Sequence, residues 1–341
     1  MDKKQTHREI RRVSNFSSLP ILFYTVTVFV FSRMISGLFA LARENGVLLT
    51  GSQKMLIGYS VQYLVILTAS IALLYLTRSR ATGLRPMQVF CKPKQSAGWC
   101  FKWIVISAAF VYIANFVTLI FTNILRALGL SPKEPEMNFS GSAFGIFTMF
   151  LVLSVFAPLW EEMLFRGTVC RHTEIMGQLF AVVFSGVMFG LWHQNYAQLL
   201  YTAVMGCFAA FMLVRTRSIF PSLILHFSIN TLSAFVLLIT KKTALYSDVS
   251  DYRELAEKIL GDPAIFIFDC ALGLFILGLM TAGVILFIIE LVRNRRRRIF
   301  RGGIFPVNGW EKLGVFLSAP VTAITIAALT AGTILRAFGV L

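Results

Sequence analysis

Apolar residues do not alternate with polar ones along most of this chain; they run on. Stretches dominated by Phe, Leu, Ile, Val and Ala fall at about 20–42, 55–77, 101–125, 142–160, 178–196, 198–214, 218–240, 263–292 and 313–337. A helix rises about 1.5 Å per residue, so about 20 such residues cross a hydrocarbon core about 30 Å thick. The pattern predicts an all-α, polytopic transmembrane bundle of about eight or nine spans. Four regions follow: a basic N-terminus (1–19), N-terminal helices and loops (20–141), a central helical core (142–240), and C-terminal helices with a basic loop (241–341). No internal repeat is visible, so the paired halves of many transporters are not expected. The longest stretches outside the runs, about 78–100, 241–262 and 293–312, are too short to bury a core of their own.

Composition agrees with a membrane protein. The chain of 341 residues is 57% hydrophobic, and its mean hydropathy of +0.74 exceeds what a soluble core needs. The formal charge of +16 raises the possibility of a nucleic-acid partner, but its placement argues against one. Lys3, Lys4, Arg8, Arg11 and Arg12 precede the first run, Arg78, Arg80, Arg85, Lys92 and Lys94 follow the second, and Arg293 with "RRRR" at 295–298 follows the eighth. The alternate segments "SPKEPEMN" and "SDVSDYRELAEK" are mixed in charge. This bias predicts a cytoplasmic N-terminus, basic loops against anionic lipids, and no nucleic acid. Arg33 interrupts the first run, which argues for a retained span over a cleaved signal despite "ALA" at 40–42; the residue is expected to snorkel or to meet a polar partner. Cys91, Cys100, Cys170, Cys207 and Cys270 form no CxxC pair, and Cys170 with His172 lacks a second pair to complete a zinc site. Asn138 begins the sequon "NFS" on an expected outer loop.

Ionisable groups inside spans cost at least about 2.5 kcal/mol each on insertion scales. They gather in "EEMLFR" at 161–166, "FGLWH" at 189–193 and "HFSIN" at 226–230. Residues four apart share a helical face, which pairs Glu162 with Arg166, Phe189 with His193, and His226 with Asn230. Adjacent residues point about 100° apart, so Glu161 and Glu162 are not expected to face one site, and Glu161 is left without a local partner. Pro158 predicts a helix start. Counting about 1.5 Å per residue from expected entry points puts Glu161, His193, His226 and Asn230 at similar depths, about 14–22 Å. A carboxylate, two imidazoles and an amide are the parts that activate water and stabilise an oxyanion. Packing histidines and a positive-inside arginine are the plainer alternative.

The ordered set EExxxR (Glu161, Glu162, Arg166), FxxxH (Phe189, His193) and HxxxN (His226, Asn230) resembles the CPBP family of CAAX prenyl endopeptidases and bacteriocin-processing or Abi-type proteins. The resemblance covers about 142–240. It implies an intramembrane glutamate-dependent endopeptidase in a multi-pass protein of the bacterial plasma membrane, acting on a membrane-associated peptide or a CAAX-like, lipidated C-terminus. Glu161 would be the base, His193 would hold water, His226 and Asn230 would stabilise the oxyanion, and Glu162, Arg166 and Phe189 would support them. No cofactor is favoured; zinc on Glu161, His193 and His226 is the alternative. A non-catalytic immunity or scaffold protein retaining the cluster, and a proton-coupled transporter, are the other classes considered. The resemblance assigns nothing to the last span and the basic segment before it.

Overall fold

The computed structural model describes residues 2–73, 86–130, 140–242, 257, 260–296 and 299–340. Its helices are α1 (Lys3–Glu44), α2 (Gly51–Leu73), α3 (Ala97–Ala127), α4 (Ala143–Met176), α5 (Gln178–Trp192), α6 (Tyr196–Thr216), α7 (Phe220–Lys242), α8 (Pro263–Asn294), α9 (Gly309–Leu317) and α10 (Pro320–Ala337). Eight of them are long and apolar enough to cross a membrane; α5 and α9 are shorter. Among the described residues there is no strand, only an isolated bridge between Gly177 and Gly302. The protein is an integral, multi-pass, all-α membrane bundle. Asn138, Arg78, Arg80, Arg85, Arg297, Arg298 and the two mixed-charge loops, apart from Glu257, lie outside the described residues.

Polar caps set most helix starts. The side chains of Asp2, Thr50, Ser96, Ser142, Asn195, Asp262 and Asn308 each accept from a backbone N–H in the first turn that has no intrahelical acceptor. Three expectations are corrected. The first helix starts well before the apolar run at about 20: α1 runs unbroken from Lys3 for 42 residues, through Pro20. The run 313–337 is broken before Pro320 into α9 and α10, because a proline ring restricts the residue before it and suits only a first turn. No new helix starts at Pro158 either. The rod α4 passes through it by widening into π-helical turns at Leu151–Phe156 and Met163–Cys170. Arg33 is exposed, with its guanidinium 5.5 Å from the Phe29 ring centroid.

The central bundle is closed by α5 and α6, which meet through small residues. A Cβ on Gly206 would lie 2.8 Å from Gly186 Cα, so glycine here permits the approach. That approach brings Phe189 against α6 and, from there, against α4.

The segment after α8 is hydrogen-bonded back to earlier helices at two places. Residues 301–312 strap the turn after α4: Gln178 N donates to Arg301 O at 3.0 Å, Ile304 N to Ile175 O at 3.0 Å, and Lys312 Nζ to Met176 O at 3.1 Å. Helices α9 and α10 then clasp the first half of α1. Ser14 Oγ donates to Phe316 O at 2.6 Å, Ser14 and Ser18 both meet Thr322 Oγ1, and Val321 N donates to Asn15 Oδ1 at 3.0 Å. At the exposed end of this clasp, hydrogen bonds from Lys3 and then His7 hold the Glu311 carboxyl below the usual carboxylate range.

Candidate active site

The geometry of α4 determines the site. In the widened turn, Ala157 N–H reaches back five residues to Val152 O. The next group in that register is Pro158, which has no N–H, so Leu153 O loses its helical donor. Asn230 of α7 supplies the missing bond, with Nδ2 donating to Leu153 O at 2.8 Å. The proline and the amide, 72 positions apart by number, thus answer one backbone defect and dock α7 on α4.

One turn further along α4 stand Glu161 and Glu162. Glu161 is 3% exposed, Glu162 and Arg166 0%, His226 2%. The expectation that the two carboxylates cannot face one site is overturned. His226 lies between them, with Nδ1 3.1 Å from Glu162 Oε1 and Nε2 3.7 Å from Glu161 Oε2. A ring carrying nitrogens on two edges, reached by long side chains, bridges positions that point about 100° apart on the helix. Glu162 also pairs with Arg166, as the four-residue spacing predicts, at 3.1 Å between Oε1 and Nη1. The contact is an ion pair without aligned hydrogen-bond geometry.

Glu161 is not without a partner. Tyr63 of α2 donates from Oη to Oε1 at 2.9 Å. Sequence reasoning missed this residue. The available signal was a phenol inside an apolar run, since a buried hydroxyl needs an acceptor. Tyr63 stacks on Tyr59 at 6.2 Å between centroids and tilts against Phe156 at 6.3 Å, so neighbouring rings fix its direction. Oxygen Oε2 of Glu161 is buried and makes no hydrogen bond among the described residues.

His193 ends α5 at its C-cap, and Gln194 turns the chain with φ of 47°. His193 Nδ1 lies 2.7 Å from Phe189 O. A carbonyl only accepts, so Nδ1 carries the proton and Nε2 of the neutral ring has a free lone pair. Phe189, fully buried, is the hub. Its ring centroid is 4.8 Å from His193's, 5.7 Å from His226's, and 4.4 Å from the Arg166 guanidinium carbon. The structure thus joins Glu161, Glu162, Arg166, Phe189 and His226 directly, with His193 reaching the cluster through Phe189. Asn230 lies one turn from His226 with its amide engaged by Leu153. The last helix also approaches the turn after α5: Gly332 of α10 faces the side chain of Gln194, so a larger residue there would displace that side chain.

Among the described residues no group of three or more His, Cys, Asp or Glu side chains is placed to hold a metal ion. His226 has one nitrogen toward each carboxylate, and His193 has one nitrogen on a backbone carbonyl. Cys170 and His172 are buried away from any such set.

The fold and cluster define a polytopic helical membrane protein with a buried carboxylate–imidazole centre. Residues 143–232 match the family model "Rce1-like: Type II CAAX prenyl endopeptidase Rce1-like". All seven motif residues fall inside the match; Tyr63 falls outside it. The chain is also 33% identical, over 87 residues, to "Putative membrane peptidase YdiL" of Bacillus subtilis (strain 168), a stretch covering 24% of this chain and 34% of that protein. The alignment thus spans about a third of the length of this curated relative. No solved structure matches. Both likenesses are to proteins described as peptidases.

Proposed function

We propose that this protein is an intramembrane endopeptidase in which Glu161 activates water to cleave a membrane-associated peptide, with a CAAX-like or lipidated C-terminus as the substrate class. The observation that carries the reading is the asymmetric environment of Glu161. One oxygen is held by Tyr63, while the other is buried, free of a hydrogen bond and beside His226. A carboxylate so fixed has one oxygen for orientation and one for proton transfer.

In the reaction, Oε2 of Glu161 takes a proton from water, with Nε2 of His193 accepting the second O–H so that an oxygen lone pair points at the scissile carbonyl. The C–O bond forms, and the negative charge on the former carbonyl oxygen is met by His226 Nε2–H and by the second N–H of Asn230. Glu161 then returns its proton to the amide nitrogen as the C–N bond breaks. Glu162, neutralised by Arg166, keeps the ring of His226 oriented through Nδ1. The cycle needs no cofactor in this proposal. Activity of purified enzyme is expected to survive exhaustive chelation; loss on chelation, with recovery on adding zinc, would overturn the cofactor-free cycle. We place the protein in a bacterial plasma membrane with a cytoplasmic N-terminus, following the basic residues at the start of α1.

Tyr63 has a positioning role in this scheme. Tyr63→Phe keeps the ring stack and removes only the donor, so kcat is expected to fall about 10-fold with KM little changed, the loss of roughly one hydrogen bond to a charged group. An unchanged kcat would remove the role.

A second reading draws on the same cluster. Because His226 is matched by both carboxylates, the network could serve packing alone in a scaffold or immunity protein. Mass spectrometry of peptides released from membranes carrying wild type or Glu161→Gln separates the two. A product specific to wild type supports the peptidase and identifies its substrate; identical peptide sets with a preserved biological phenotype support the scaffold.

A further inference from the structure

Helix α6 has two working faces. One presents Gly206 to Phe189 and the site; the other presents Cys207, Phe208, Phe211 and Arg215 to a separate cavity of about 400 Å³ enclosed with α3, α8 and residues Ile299 and Phe300. The volume lies within the range of ordinary ligand sites, about 300–1,000 Å³. Its walls are aromatic. Trp103 packs on Phe211 with 4.5 Å between centroids, on Phe208 at 6.3 Å and on Phe287 at 6.5 Å, and Phe211 meets Phe300 at 5.9 Å.

Polarity in this cavity is graded along the bundle axis. Arg215 ends α6, Glu290 and Asn294 end α8, and Lys102 lies in the second turn of α3, so these groups form a mouth at the basic end of the bundle. Phe208, seven residues before Arg215, lies about 10 Å deeper. Charges at the mouth are unevenly spent. Lys102 pairs with Glu290, whose other oxygen accepts from Asn294 Nδ2 at 3.1 Å, so the acid is fully engaged. Arg215 has a neutral acceptor, Ile299 O at 3.1 Å, and no carboxylate within ion-pair distance among the described residues. Below it, Trp103 is 8% exposed and its indole N–H has no acceptor among the described residues. A cationic mouth, an unmatched buried donor one level down and an aromatic floor form a sequence of functional groups that a lipid can complement.

We propose that this cavity binds one acyl chain of an anionic phospholipid, with the phosphate at Arg215, an ester carbonyl accepting from Trp103 Nε1, and the chain among Phe208, Phe211 and Phe287. The site is separate from the carboxylate–imidazole centre, with α6 between them, and it does not depend on the peptidase reading. Engagement of Glu290 by Lys102 and Asn294 argues against a quaternary ammonium headgroup, which would need a free acid beside the rings.

Native mass spectrometry of the full chain, titrated with phosphatidylglycerol and with phosphatidylcholine of identical chains, tests the proposal. Wild type is expected to retain one phosphatidylglycerol with at least about 10-fold preference over phosphatidylcholine. Arg215→Gln is expected to lose the preference. Trp103→Phe, which keeps a ring in place and deletes the N–H, is expected to weaken both lipids several-fold. Leu291→Trp, at a half-exposed position on the cavity wall, fills the space without truncating the core and is expected to expel both. Equal retention of the two lipids by wild type, or unchanged phosphatidylglycerol binding in both Arg215→Gln and Leu291→Trp, would overturn it. So would one-for-one displacement of the lipid by an isoprenylated peptide, which would make the cavity part of the substrate site.

Discussion

Replacing Glu161 by Gln is expected to reduce peptide release by about 10²–10⁴-fold, the usual worth of a positioned general base. Folding is expected to survive, because the amide keeps the volume, its carbonyl still accepts from Tyr63, and its NH₂ can face a His226 nitrogen that has become an acceptor. In single-turnover assays the loss is expected in the cleavage rate constant, since the proposed base acts in the transition state and contributes little to ground-state binding. Full activity in purified Glu161→Gln protein would remove the residue from the chemistry. The control lies next door: Glu162→Gln is expected to disturb stability as well as rate, because Glu162 balances Arg166.

That balance gives the second large effect. Arg166→Met leaves Glu162 in a fully buried setting with no cationic side chain other than the ring of His226 beside it, Ser222 being neutral, and deletes the cation above Phe189. Breaking a buried pair from one side costs about 3–5 kcal/mol. Thermal unfolding in detergent is expected to show this as a clear fall in Tm. The double variant Glu162→Gln with Arg166→Met is expected to recover much of the loss, since neither charge is then stranded. A double variant less stable than Arg166→Met alone would mean that Glu162 is held mainly by something other than the arginine.

The motif spacing made part of this site legible. The Glu162–Arg166 pair follows from two residues one turn apart, and it survives the local change of helical register. The bridge from His226 to both carboxylates does not follow, because rules for separated faces describe where Cβ atoms point, while two long side chains can meet a ring lying between them. Nor was Tyr63 visible: it is 98 residues from its partner, and an isolated phenol in an apolar run carries no spacing signal. The spans were recognisable because apolar length is a strong local property. Their breaks were less so. Pro158 and Pro320 each break the backbone ladder, yet Pro320 ends a run while α4 continues through Pro158 by widening its turns and borrowing a donor from α7. Only tertiary contacts decide between those outcomes.

Some of the polar face of α1 is answered from the far end of the chain. Ser14, Asn15 and Ser18 find partners among residues 316–322, and the end of α4 is tied down by residues 301–312. Synthesis on a ribosome delivers residues 14–18 long before residues 316–322, so the earlier segment waits in the bilayer with these hydroxyls and its amide unanswered until the later one arrives. A nascent product lacking residues 301–322 holds Glu161 on an untethered rod. In the proposed peptidase, hydrolysis would then begin only after residues 301–322 have docked, which spares neighbouring membrane proteins from an incomplete site.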